Sequence, residues 1–288
     1  MTSKTRSAGE GYHVRLQPEE KGFHLKLREV WAYRDLVLLL TKKTFSVTYQ
    51  QTIMGPLWII IQPALSSLIY LVVFGQIAQI GTAGIPQPLF YFVSTAVWGL
   101  LSVSLVINSN VFSTNANLFS KVYFPRVAVP ISNILVNMLR FCVQLVLISV
   151  LMVIYVAKGA IHPLWRLYPL LPLLFMQMSL LGMSAGLLLS SLTTKYRDLL
   201  LLVEIFANLW MYASAVVYPL ESISNGFLKL VIQINPAAET MELIRWIMLG
   251  KGSFDIRFYC MGLVFTLALF FLSLSIFNRV ERTFADTI

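Results

Sequence analysis

The chain has 288 residues and a net charge of +9, with 57% hydrophobic residues and only 12% charged ones. Soluble domains carry about a quarter charged residues, so composition and a mean hydropathy of +0.74 exclude an ordinary soluble protein. Nine of the 22 basic residues precede residue 56 and no aromatic-plus-basic platform follows, which points the positive charge at a membrane surface and away from nucleic acid.

Residues 1–25 are polar and predict a mobile cytoplasmic tail, with no apolar core and cleavage site of a removable signal peptide. Residues 26–55 follow as an N-terminal interfacial element, and 56–288 as the membrane domain. Within 26–52, Leu27, Val30, Trp31 and Leu38 can share one helix face and Arg28, Asp35 and Lys42 another. That pattern suits an amphipathic helix in the headgroup layer; a solvated helix is the alternative.

No Lys, Arg, Asp, Glu or His occurs from Thr44 to Ser120. Six apolar segments are expected, at about 57–80, 89–111, 129–157, 168–192, 199–218 and 258–278. A span needs about 20 apolar residues, and backbone polar groups in hydrocarbon must be satisfied internally. The fold class is therefore an all-α membrane protein with six transmembrane helices. Cys142 and Cys260 fall inside these segments without metal-ligand spacing and are expected to pack as small hydrophobes.

Residues 219–250 are too apolar for a plain loop, and each half is too short to span. Pro236 separates 227–234 from 237–249, with Asn235 as N-cap of the second piece. A re-entrant helical hairpin including Pro219 and Arg245 is expected; an amphipathic surface loop is the alternative. With the N-terminus inside, 15 basic residues fall on the cytoplasmic side and six, Arg245 among them, on the other. Both termini are then cytoplasmic. Six helices are few for a large conduit, so a homodimer with its pathway on the two-fold axis is expected.

The loop Asn115–Pro130 reads NANLFSKVYFPRVAVP. Asn115 can cap a short helix that Pro125 ends, presenting Lys121, Tyr123 and Phe124 as a docking knob. An interfacial turn anchored by aromatics and cations is the alternative.

Four stretches resemble the permease subunit of type-2 ABC exporters of lipid-linked polysaccharides, the O-antigen, capsule and teichoic acid branch. They are TYQQTIMGPLWIIIQP (48–63), the loop just quoted, LTTKYRDLLLLVE (192–204), and SAVVYPLESI (214–223) with INPAAETMELIRWIMLG (234–250). Thr48 stands where that family usually has a basic residue, Met54 where it has Leu, and Ala215 where it has Pro. The resemblance implies a permease, not an enzyme, coupled to two copies of a separate ATPase that binds ATP and Mg. It implies ATPase coupling through Asn115, Asn117, Leu118, Lys121, Tyr123, Phe124, Pro125 and Arg126. The cargo implied is a long glycan on an undecaprenyl-type pyrophosphate lipid in a bacterial inner membrane. The chain itself calls for no cofactor or metal, and it has no Gly-x-x-x-x-Gly-Lys-Ser/Thr phosphate cradle.

Residue chemistry then suggests roles. Arg34, Lys42 and Lys43 can meet the lipid pyrophosphate at the cytoplasmic interface, or simply anionic lipid. Trp58, Tyr70, Phe74, Tyr91, Trp98, Trp210 and Tyr212 are candidate aromatic faces for a sliding sugar chain; packed or lipid-facing rings are the alternative. Arg140 lies about 16 Å into the third segment, where charges pair or face water, and Glu204 is its expected partner, with snorkelling as the alternative. Asp198 is expected to cap the fifth helix. A membrane glycosyltransferase is the competing class, with Glu239 and Glu242 as its nearest carboxylate pair. A permease for a drug or small lipid is a further alternative.

Overall fold

The computed structural model describes residues 31–50, 54–121, 124–193, 196 and 198–285, and its regular elements are all helical. Helix α1 (Arg34–Gln50) precedes α2 (Gly55–Ile77) and α3 (Gln87–Ser109). Two short helices, α4 (Val111–Thr114) and α5 (Ala116–Lys121), lead to α6 (Ala128–Ala157). Helix α7 (Trp165–Thr193) opens with a 3-10 turn, and α8 (Leu199–Tyr212) follows. A hairpin of α9 (Gly226–Ile234) and α10 (Pro236–Leu249) precedes the last helix, α11 (Ile256–Ala285).

Among the described residues, five helices, α2, α3, α6, α7 and α11, are long and apolar enough to cross a membrane. The chain is an all-α membrane protein. The fifth expected segment is shorter than its apolar run, because helix α8 stops at Tyr212 while the run continues to 218. Two residues past its C-cap, Ala215 takes a left-handed φ of 53°, which no α-helix continues through.

Helices α3 and α7 form the centre of the bundle, each two-thirds buried, whereas α2 is only 11% buried. Small residues explain the α3–α7 contact. Gly182 and Gly186 sit one turn apart, and a methyl on either would overlap a backbone carbonyl oxygen of α3, at Leu101 or Leu105. Backbones approach this closely only over glycine, the usual basis of tight membrane-helix packing. Polar side chains lock α6 onto α3. The Asn137 Nδ2 donates to the Leu100 carbonyl (3.0 Å) and Ser104 Oγ (2.9 Å), and Asn133 Nδ2 to Asn108 Oδ1 (3.2 Å).

One expectation about surfaces is corrected. Cys142 and Cys260 are exposed, not packed, because their helix faces turn outward. On α1 it is Val37 and Thr41 that are buried, while Trp31 and Leu38 stay exposed. At 100° per residue Val37 and Thr41 share a stripe that docks on α6, and Leu38 shares its stripe with Lys42. Leu27, Arg28 and Val30 lie outside the described residues.

A Gly182→Val substitution should force α3 and α7 apart and lower stability by about 1–3 kcal/mol, read as an earlier unfolding midpoint in detergent. The control is Gly99→Ala, where nothing lies within 4 Å of the added methyl; its midpoint should not fall.

Candidate functional site

Helix α2 contains Pro63, whose missing N–H leaves the Ile59 carbonyl without its helical partner. Gln144 on α6 fills that vacancy, donating Nε2 to the Ile59 oxygen at 3.1 Å. This bond holds α2 beside α6 at the edge of a cavity of about 470 Å³ between α2, α3, α6 and α8. The volume falls in the range of small-molecule sites, roughly 300–1,000 Å³. Its wall combines aromatic rings (Trp58, Tyr70, Trp98), amides (Gln62, Gln144, Asn208) and the guanidinium-bearing Arg140. Among the described residues, neither Asp nor Glu contributes to the lining.

Three of the expected channel aromatics therefore meet in one place. Trp210 stands edge-on to Trp98 at 6.2 Å, while its indole N–H donates to Asn235 Oδ1 at 3.2 Å. Phe74 lies between Tyr70 and Tyr212, with centroids 5.9 and 6.3 Å away. Tyr91 lies apart from them: its ring is fully buried in the main core, edge-on to Phe90, and is not among the residues lining this cavity. The expected Arg140–Glu204 pair does not form. Arg140 is half-buried on the cavity wall, and Glu204 is exposed. Arg140 lies about 18 Å into α6 and Glu204 about 8 Å into α8, so the two sit at different heights. Asp198 occupies the N-cap position of α8 but makes no capping hydrogen bond with its side chain.

The hairpin hangs on two residues. Asn235 caps α10 by accepting from Ala237 N (3.1 Å), and its Nδ2 donates to the Ala213 carbonyl (2.8 Å) and Ser214 Oγ (2.9 Å). It thereby ties the end of α8 to the start of α10, after which Pro236 takes the first helical position. Arg245, expected in the hairpin and counted with the outer-side charges, is fully buried. Its NH2 group meets Glu242 Oε1 at 2.6 Å, and its NH1 group donates to the Ala215 carbonyl (2.8 Å) and Ser94 Oγ (3.1 Å). The guanidinium also lies 4.6 Å above the Phe90 ring. Glu242 Oε1 accepts a further bond from Leu220 N at 2.8 Å, just past the buried Pro219.

Glu242 was not singled out as the partner of Arg245, although its i, i+3 spacing on one helix was the available signal. Glu239 and Glu242 are both buried, at 0% and 2% exposure, and Glu242 is committed to Arg245. A carboxylate pair closed off in this way has no access to a sugar nucleotide. Burial pushes the Glu239 carboxyl above its ordinary value, partly opposed by the bond from Asp255 N. The far end of α10 is sealed by the α6–α7 connection, where His162 N and Leu164 N donate to the Leu249 and Ile247 carbonyls.

At the opposite end, the 111–126 segment is anchored more deeply than a free knob. Phe119 and Phe124 are buried and pack 6.0 Å apart, Phe112 stacks on Phe277 of α11 at 4.7 Å, and Arg126 lies 5.4 Å over Phe119. The expected exposure of Phe124 is thus corrected: its ring closes a small core with α11. Asn115 turns its amide back to the Val111 carbonyl (2.9 Å), Leu118 is half-buried and Pro125 is buried. Tyr123 and the side chains of Asn117 and Lys121 lie outside the described residues. Arg34, Lys42 and Lys43 are exposed on α1, and Arg34 lies 3.9 Å from Asp35, a surface pair of little energetic worth.

A family model, ABC-2 type transporter, matches residues 35–249, from α1 to the end of the hairpin. The chain belongs to that family. This ABC-2 chain is also 27% identical over 266 residues to an O-antigen export system permease protein, RfbA, of Myxococcus xanthus, covering 91% of this chain and 98% of the relative. A Klebsiella pneumoniae protein of the same name is 25% identical over 257 residues, covering 88% and 94%.

Two predictions follow the ABC-2 hairpin. Arg245→Ala leaves Glu242 buried without its cation and should cost about 3–5 kcal/mol, whereas the paired change Arg245→Met with Glu242→Leu should cost clearly less; unfolding in detergent separates them. For Glu239, a folded-state value above the ordinary 4.5 means that the fold prefers the protonated carboxyl. Its contribution is full below the unfolded value and is lost as pH rises through the folded one. Glu239→Gln should therefore flatten the dependence of the unfolding midpoint on pH above 4.5, with the gain growing toward alkaline pH.

Proposed function

We propose that this chain is the permease subunit of an ATP-driven exporter that moves an undecaprenyl-linked O-antigen polysaccharide across the cytoplasmic membrane. The observation that carries the reading is the half-polar, aromatic-walled cavity between membrane helices in a chain similar, over about nine-tenths of its length, to permeases named for O-antigen export. Sugar rings suit such a wall, since aromatic faces contact them broadly while amides and hydroxyls bond without fixing one register.

Several features support the rest of the assembly. The distribution of Lys and Arg favours both termini in the cytoplasm, which puts the 111–126 segment where a soluble ATPase can reach it. ATP and Mg then belong to that partner, present in two copies, and the segment transmits its motion. A homodimer doubles the helices available to enclose a glycan, and the exposed apolar faces of α2 and α8 leave room for a second copy or lipid. The exposed Lys42 and Lys43 stand beside exposed Leu38 and Leu39 on α1, as expected of a helix at the headgroup layer near the lipid pyrophosphate. The hairpin, re-entrant in this reading, is tied through Asn235 to Trp210, whose ring stands against the cavity residue Trp98.

Deleting the gene should abolish surface O-antigen and accumulate its lipid-linked precursor inside the cell, measured by glycan staining of membranes and intact cells. Loss of an unrelated solute's export with normal O-antigen would refute the reading. The Lys42→Gln, Lys43→Gln double variant should cut export severalfold while the ATPase still co-purifies; unchanged export would remove the two lysines from the pathway.

A further inference from the structure

Helices α4 and α5 have four and six residues. Isolated helices shorter than about 12–15 residues are marginal in water, so the 111–126 segment takes its shape from what it packs against. A run of aromatic rings supplies that support. Phe124 packs on Phe119 at 6.0 Å, Phe119 on Phe112 at 6.1 Å, and Phe112 on Phe277 at 4.7 Å with only 20° between the ring planes. All four rings are buried. Three belong to the segment and the fourth to α11, where Leu274 lies one turn earlier on the same buried stripe.

Chain connectivity alone attaches the segment to α3, which it leaves, and to α6, which it enters. The Phe112–Phe277 stack adds the last helix of the chain. Protein interiors are close-packed, so a ring in such a run cannot shift unless its neighbours follow or a void opens. Offset stacking also favours a defined placement of the two ring faces, which an aliphatic side chain does not.

We infer that Phe277 is a positioning residue that seats the 111–126 segment on α11, so that the segment and the last helix move as one body when the ATPase acts on the segment. This deepens the proposed function and rests on it, because the segment's contact with an ATPase belongs to that reading. Phe277 is fully buried and acts through Phe112. Its loss uncouples ATP hydrolysis from export without removing the surface that the ATPase meets.

The experiment uses the chain with its ATPase partner and compares O-antigen exported per ATP hydrolysed. Phe277→Leu keeps an apolar side chain but removes the ring face, and Phe112→Leu removes the other half of the stack should the first variant fail to fold. Each should lower the ratio by about fivefold, with the ATPase still co-purifying in wild-type amount. The control is Phe175→Leu, the same change in a ring pair of the main core, where Phe175 meets Phe141 at 4.6 Å. Its ratio should stay at the wild-type value even where its unfolding midpoint falls as far. A second readout needs no cargo. With Cys142→Ala and Cys260→Ala as background, spin labels on Ser113→Cys and Leu272→Cys report the distance from segment to α11 in nanodiscs. The distribution should be narrow with Phe277 present and broad in Phe277→Leu. An unchanged ratio or an unchanged distribution in Phe277→Leu, or an equal fall of the ratio in Phe175→Leu, would overturn the assignment. If the wild type exports no O-antigen, the exporter reading fails, and the label distances still decide whether Phe277 seats the segment.

Discussion

The guanidinium of Arg245 is the interaction on which the hairpin depends. Burying a charge in protein costs several kcal/mol unless its bonds are met, and here the bonds come from separate parts of the chain. Glu242 shares its helix, Ser94 and Phe90 belong to α3, and the Ala215 carbonyl belongs to the turn after α8. Only its Nε is without a hydrogen bond. Each partner is correctly placed only when the other two are, so helix α10, the 215–220 turn and the centre of the bundle are positioned together. The left-handed φ of Ala215 fits this arrangement, since it aims the carbonyl at the guanidinium. Proline, fixed near −65°, could not adopt that angle.

The bundle has two regimes of packing. Between α3 and α7, glycine permits backbone contact, and between α3 and α6, asparagine amides bridge to carbonyls. Both are short-range devices that operate without a hydrophobic driving force between helices. Helix α2 has no such glycine contact with a neighbouring backbone and no asparagine bridge. It is held by Gln144 at a proline gap, by Ser67 against Thr95 at 3.0 Å, by Tyr70 Oη donating to Met211 Sδ at 3.3 Å and by Gln87 Nε2 donating to the Gly75 carbonyl at 3.5 Å, and most of its surface is exposed. The cavity occurs where the packing is loosest.

Segment positions were legible because an apolar run bounded by charges has few alternatives in lipid. The spans read from the chain match α2, α3, α6, α7 and α11 to within a few residues. Asn235-Pro236 was legible too, because an N-cap followed by proline has one local meaning. The orientation of faces was not. Composition treats Tyr91 and Trp98 alike, and both are buried in the same core, yet only Trp98 also lines the cavity. Arg245 looked like a loop charge, since only its three-dimensional partners reveal the burial. Phe124 looked exposed for the same reason, as its partners Phe119 and Phe112 lead on to Phe277, some 150 residues away. In the carbonyl contacts of Gly182 and Gly186, the small-residue spacing was visible in the chain but unread.

Helix α11 touches both ends of this architecture. Phe277 stacks on Phe112 at the end carrying the 111–126 segment, and Gly262 lies against Pro236 at the root of the hairpin. Fifteen residues separate these contacts, about 22 Å of continuous helix. One unbroken helix therefore carries both contacts, so the aromatic stack and the hairpin's proline are fixed to a single hydrogen-bonded element.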